Sequence, residues 1–342
     1  MADKKFKVVR LVRTDILGVF TPTTKEVKEL AKVNAELLEA TCNTEDEIVE
    51  AAKDADIILM GGARITRRVM EALPKCQAII FGSVGFDAVD VGAATDNGII
   101  ITNHPSPQWC VEEVSNHAII LLLACAKKLV LLNNGTKQGR WAESKQLQRP
   151  MGTIHGQILG LVGCGSIGQM TAKKAQAFSL RILGYDPYVD KSLANEHGIT
   201  LVSLPELLKE SDFVSLHTIL NDETRHMIGE EAFKQMKPDA YFINTSRGPV
   251  VDEPALIKAL QEKWIAGAGL DVFEKEPVDP DNPLLKMDNV TVFPHSASYS
   301  DAAFKLPRII MQQEALRIIR GHWPKNVVNK AVIPKVNLIK ED

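Results

Sequence analysis

The sequence predicts an α/β protein built on two doubly wound parallel sheets, and three observations carry that expectation. Short apolar runs alternate with helix-forming stretches along the whole chain. Uninterrupted apolar runs suit strands buried on both faces, as in a parallel sheet covered by helices. A glycine-rich turn near the middle joins one such run to a helix. At 342 residues the chain is also long for one domain and suits two.

The elements follow in order. Strands are expected at 7–12, 57–61, 78–83 and 99–103, with a fainter one at 36–41. Helical stretches such as 24–33 and 45–53 lie between them. A long apolar helix is expected at 111–132. It is apolar around most of its circumference, so it belongs either in a domain core or at a subunit interface. A strand at 158–162 enters the glycine turn, and further strands are expected at 180–185, 213–217, 241–245, 269–273 and 290–293. A last helix at 302–320 returns to the first domain. Residues 1–103 and 297–342 then form one discontinuous domain and 104–296 the other, with hinges near Asn103 and Ser296.

The turn itself reads QILGLVGCGSIGQM over residues 157–170. Strand, glycine turn, helix, second strand and a closing acid, Asp186, stand in the order of a dinucleotide-binding unit. Gly163 permits the tight turn, Gly165 lets the backbone approach a pyrophosphate, and Gly168 lets the helix pack on the strand. Ser166 and Ile167 open the helix, whose N-terminal amides and dipole favour phosphate. A carboxylate at Asp186 accepts hydrogen bonds from a ribose 2′-hydroxyl and repels a 2′-phosphate. Pro187 and Tyr188 follow with no arginine, which points to NAD rather than NADP.

Composition narrows the class. Apolar residues make up 45% and charged residues 24%, the balance of a soluble globular protein. A net charge of −3 gives no reason to expect a nucleic-acid partner. Five cysteines show neither CxxC nor another metal-ligand spacing, so no metal is expected and reduced thiols in the cytoplasm are. The N-terminus has no signal-peptide pattern, and the longest apolar run, 118–126, is too short to span a bilayer.

Downstream, three polar sites close three expected strands: INTSRGPVVDEPAL with Arg247, GLDVFEKEP with Asp271 and Glu276, and VFPHSASYS with His295. Strand C-termini line the crevice of a doubly wound sheet, so the three can converge beside a bound dinucleotide. Reduction of a 2-keto acid needs a proton donor for the forming alkoxide and a cation for the carboxylate. Histidine suits the first role near neutral pH, and a neighbouring carboxylate stabilises its charged form. Arginine suits the second, since its planar fork matches a carboxylate.

At this point the sequence resembles the D-isomer-specific 2-hydroxyacid dehydrogenases. The likeness runs from GSVGFDAVD (82–90) through VEEVSNHA, the glycine turn and SLHTILNDET (215–224) to NTSRGPVVDEPAL, AGLDVFEKEP and the final PH. It implies a Rossmann NAD-binding domain inserted in a flavodoxin-like substrate domain. It implies that Arg247 binds substrate, His295 is the acid/base and Glu276 supports it. It assigns His217, Thr218 and Thr224 to the cofactor. Thr245 and Asp271 would sit near the nicotinamide, with Asp271 on its carboxamide. Val84 and Gly85 would bind substrate through backbone amides. Trp109 either caps the substrate pocket or packs between domains or subunits. Such proteins are usually homodimers joined through the cofactor domain.

Two details refine the resemblance. Glu276 stands where formate dehydrogenases of the same superfamily carry glutamine, which favours a proton-coupled substrate. Phe81 and the Met60-Gly61 pair replace arginines found in many relatives, which argues against 3-phosphoglycerate. The expected activity is reduction of a small 2-keto acid, glyoxylate or hydroxypyruvate first among them. The alternative is an NAD(H)-sensing interaction protein resembling the corepressor branch.

Overall fold

The computed structural model describes residues 5–14, 23–105, 108–301 and 303–340. The chain divides into two compact units, Met1–Pro107 with Ser300–Asp342, and Gln108–Tyr299. The first contains β1 (Phe6–Val12), α1 (Thr24–Ala31), β2 (Ala35–Thr41), α2 (Glu45–Ala52), β3 (Ile57–Gly61), α3 (Arg67–Glu71), β4 (Ala78–Ile80), α4 (Val91–Asp96) and β5 (Ile100–Thr102). Its sheet is parallel with order β2-β1-β3-β4-β5, the flavodoxin-like winding. Capping boxes start α1 and α2: Thr23 and Thr44 each accept from the amide three residues on, and Glu26 and Glu47 reach back.

The second unit contains α5 (Gln108–Ala126), α6 (Leu129–Lys137), α7 (Trp141–Leu147), β6 (Ile158–Val162), α8 (Ser166–Gln176), β7 (Arg181–Tyr185), α9 (Lys191–Glu196) and β8 (Ile199–Leu201). It continues with α10 (Leu204–Glu210), β9 (Phe213–Leu216), α11 (Glu230–Gln235), β10 (Tyr241–Asn244), α12 (Glu253–Gln261), β11 (Gly267–Leu270) and β12 (Val290–Val292). Seven parallel strands run β12-β11-β10-β9-β6-β7-β8. The winding reverses between β6 and β9, so the ligand crevice of this sheet opens at their C-terminal ends. The last helix, α13 (Leu306–Ile319), belongs to the first unit.

Every residue of β6, β9 and β11 is buried, as in a parallel sheet covered on both faces. On one face of the larger sheet Phe233 and Phe242 meet edge to face at 5.2 Å. All five cysteines are free and buried. Burial pushes the thiols of Cys76, Cys125 and Cys164 up to about 12.

Some expected elements differ. The helix expected at 111–132 is two helices, α5 and α6, broken at Lys128, which takes a left-handed conformation with φ 50°. No glycine or proline marks that break, so the apolar pattern runs through it. With its upstream turns, α5 is also longer than the apolar run it contains. By length and composition it could cross a membrane, yet more than half of it is buried inside the fold. The strand expected at 269–273 is β11, shifted toward the N-terminus, because Gly267 and Ala268 carry no strand signature. Short β8 has only three residues and was not anticipated. Ser106 and Pro107, before Trp109, and Ala302, at the start of the expected last helix, lie outside the described residues.

Candidate active site

The glycine turn lies where β6 meets β9. Gly163 has φ +97°, and a Cβ there would stand 2.7–2.8 Å from backbone atoms of His217 and Thr218. The turn after β6 and the segment after β9 are therefore packed backbone against backbone. A Cβ on Gly168 would lie 2.3 Å from the Gly163 carbonyl, so α8 packs directly on the turn. Gly165, the N-cap of α8, faces the other way: a Cβ there meets nothing within 4 Å. Open space over the start of an α-helix is what a pyrophosphate requires.

Asp186 closes β7 beside this turn. One carboxylate oxygen accepts from the Cys164 amide at 2.9 Å, and the other from Tyr188 and Val189 at 2.9 and 3.2 Å. His217 shares a hydrogen bond with Ser215 Oγ at 3.0 Å, and burial pushes its imidazole down to about 4. Its Nδ1, and Oγ1 of Thr245 at the end of β10, are buried without a hydrogen-bond partner among the described residues. Unsatisfied groups at these two strand ends, with the open cradle at Gly165, fit a bound dinucleotide. Thr218 and Thr224 lie in the segment after β9. The Thr224 hydroxyl is used inside that segment, donating to the Ile219 carbonyl at 2.7 Å and accepting from the Asn221 amide at 2.9 Å.

The second constellation is assembled by strands β10, β11 and β12. Asn244, the buried last residue of β10, folds the turn that carries Arg247. Its Oδ1 accepts from the Ser246 amide and hydroxyl at 2.9 and 2.8 Å, and its Nδ2 donates to the Arg247 carbonyl at 3.0 Å. Next to it, a Cβ on Gly248 would lie 1.8 Å from the Phe273 carbonyl oxygen, so the turns after β10 and β11 touch.

Beyond β11, Glu276 accepts the Phe273 amide at 3.0 Å through Oε1 and pairs with His295 Nδ1 at 2.6 Å through Oε2. Burial pushes the Glu276 carboxyl up. The His295 hydrogen bond and charge, the Phe273 amide and the Arg247 charge outweigh it and hold the carboxyl below its ordinary value. The side chains of His295 and Glu276 are 46% and 32% exposed, so the pair opens to solvent.

His295 has φ +53°, a left-handed conformation that costs on the order of 1 kcal/mol in a non-glycine residue. Asp271 holds it there. The His295 amide donates to the Asp271 carbonyl at 2.8 Å. The Ser296 and Ala297 amides each donate to one Asp271 carboxylate oxygen at 2.8 Å. The Asp271 side chain is 0% exposed. Its carboxylate thus anchors the His295 loop, a duty that its place in the sequence did not reveal.

The structure brings Arg247, Glu276, His295, Asp271 and Thr245 to neighbouring strand ends of one sheet. Val84 and Gly85 lie in the other unit after β4. There Asn103 Nδ2 donates to the Val84 carbonyl at 2.6 Å and Ser83 Oγ to the Gly85 carbonyl at 3.0 Å. Trp109 opens α5 with its indole Nε1 buried and without a partner among the described residues. Asn244 escaped the sequence reading, although a polar residue ending a buried apolar strand is a visible signal.

A dinucleotide cradle and a histidine–carboxylate pair beside an arginine, all at strand ends of a doubly wound sheet, define an oxidoreductase of the NAD-dependent dehydrogenase class. Residues 119–297 match the profile of the NAD-binding domain of the D-isomer-specific 2-hydroxyacid dehydrogenases, and residues 17–158 that of their catalytic domain. A glyoxylate reductase of Korarchaeum cryptofilum is 42% identical over 288 residues, 84% of this chain and 86% of that protein. A D-3-phosphoglycerate dehydrogenase of Methanocaldococcus jannaschii is 38% identical over 97% of this chain, which spans 62% of that longer protein. A D-lactate dehydrogenase from Aquifex aeolicus, solved with NAD and lactic acid, matches with TM-score 0.79 and 30% identity over 92% of this chain and 96% of that one.

The chain belongs to the D-isomer-specific 2-hydroxyacid dehydrogenase family. It is an NAD-dependent oxidoreductase of 2-hydroxy and 2-keto acids.

Proposed function

We propose that this enzyme reduces short 2-keto acids, glyoxylate and hydroxypyruvate foremost, with NADH preferred over NADPH. The observation that carries the reading is the 2.6 Å pair of His295 Nδ1 with Glu276, beside the turn that bears Arg247. Relatives named glyoxylate reductase support the choice of acid. Asp186, with no arginine after it, supports the choice of cofactor. The proteins compared above are enzymes by name, and none favours the NAD(H)-sensing interaction protein.

Bound NADH supplies the hydride for the carbonyl carbon. Arg247 grips the substrate carboxylate and polarises its carbonyl oxygen. His295, held through Nδ1 by Glu276, turns Nε2 to the substrate and delivers the proton to the forming alkoxide. Glu276 stays ionised and stabilises the imidazolium before that transfer. The turn at 163–168 and Asp186 would hold the dinucleotide, with His217, Thr218 and Thr245 beside it.

The test is consumption of NADH and of NADPH by purified protein against a panel of short, branched and sugar-derived 2-keto acids. Glyoxylate or hydroxypyruvate should be turned over fastest, and NADPH at least tenfold more slowly. A panel led by a branched acid, or equal use of NADPH, refutes the respective assignment.

We also place the enzyme in the cytoplasm as a homodimer. Five free, buried cysteines support the compartment. Consecutive helices α5, α6 and α7 expose Ile120, Leu129, Val130 and Trp141, which supports a partner on the cofactor unit. Light scattering is expected to give twice the chain mass of 37.6 kDa, and a single-chain mass counts against the dimer.

A further inference from the structure

Helix α5 is apolar along most of its length, yet one histidine, His117, stands in its buried stretch. That side chain is 12% exposed. Its ring meets Phe293 edge-on at 4.6 Å, two residues before His295. Its Nε2 lies 3.5 Å from Asp271 Oδ1 and makes no hydrogen bond among the described residues. It therefore touches the loop at two places: the aromatic residue where the loop begins and the carboxylate that anchors its far side.

The chemistry of Asp271 gives this contact a purpose. A fully buried carboxylate needs donors on all sides, and the Ser296 and Ala297 amides fill only part of its acceptor capacity. An imidazole with its proton on Nε2 turns a positive N–H edge toward Oδ1. The opposite tautomer turns a lone pair toward an anion and repels it. Burial pushes the imidazole below its ordinary value, against the pull of Asp271. An apolar residue of similar shape would fill the space and leave the carboxylate less satisfied.

We propose that His117, with its proton on Nε2, is a positioning residue that fixes Asp271 and, through it, the loop presenting His295. This rests on the acid/base reading of His295. His117 itself touches neither substrate nor the reacting atoms.

The first measurement needs no variant. Nitrogen NMR of the histidine-labelled protein should report the Nε2–H tautomer for His117, and an Nδ1–H tautomer overturns the proposal. Two substitutions follow. His117→Phe keeps a ring against Phe293 and removes the dipole. It should lower kcat about tenfold with KM and the NADH dissociation constant within twofold, and it should speed hydrogen exchange of the Ser296 and Ala297 amides while those of β10 and β11 keep their protection.

His117→Gln, which retains an N–H donor, should recover most of kcat and of the protection. Wild-type kcat and exchange in His117→Phe overturn the proposal. So does a loss of kcat, NADH binding and melting temperature together that glutamine does not rescue, since that pattern means packing alone. If His295→Gln leaves turnover intact, the acid/base reading itself has failed, which separates the two cases.

Discussion

Replacing His295 by glutamine is expected to lower the rate of 2-keto acid reduction by roughly a thousandfold, within the range a positioned general acid contributes. NADH affinity should hold within twofold, because His295 belongs to the loop after β12 and the cradle to the turn after β6. The companion variant Glu276→Gln should cost less at its pH optimum and change the shape of the pH profile. The direction follows from the linkage. Glu276 is held below its ordinary value partly by its hydrogen bond and charge interaction with His295. Protonating that carboxyl removes the acceptor that holds His295 Nδ1, so the wild-type rate should fall on the acid side, below the ordinary carboxylate range. Glutamine has no such titration, so that acid limb should be missing from Glu276→Gln. The pair's contribution to stability runs in the usual carboxylate sense: present above the ordinary carboxylate range and lost as pH falls through the lowered Glu276 value. Steady-state rates across the pH range check both claims, and an acid limb that persists unchanged in Glu276→Gln defeats the second.

What was legible in the sequence had a local geometric cause. The turn at 163–168 could be read because each of its glycines answers a distinct steric demand: a Cβ would stand 2.7 Å from backbone at Gly163 and 2.3 Å at Gly168. Arg247, Glu276 and His295 could be placed at strand ends because each follows an apolar run. What stayed hidden depends on which lone pairs face which donors across the fold. Asp271, expected beside the nicotinamide, also holds two loop amides through its carboxylate. His117 touches a loop distant in sequence, and nothing local to it names that loop. The break at Lys128 left no trace because one left-handed residue interrupts a helix without needing glycine or proline.

Gly248→Ala is expected to damage the site more than its single methyl suggests. The added Cβ would stand 1.8 Å from the Phe273 carbonyl oxygen, 1.9 Å from its carbon and 2.5 Å from the Glu274 amide nitrogen. All three are backbone atoms, so no side chain can swing aside. The turn bearing Arg247 must separate from the segment that leads to Glu276. Overpacking of this kind costs about 1–3 kcal/mol of stability, which should appear as a fall of several degrees in melting temperature. Activity should fall further, by about a hundredfold in kcat/KM, because a displacement near 1 Å at a catalytic group has that order of effect. Gly165→Ala supplies the contrast. Its methyl meets open space, so the fold should keep its melting temperature while NADH affinity drops. Thermal denaturation and NADH titration of the two variants separate a glycine required by protein backbone from one required by ligand. Equal behaviour of the two would contradict that division, since only Gly248 is hemmed in by its own chain.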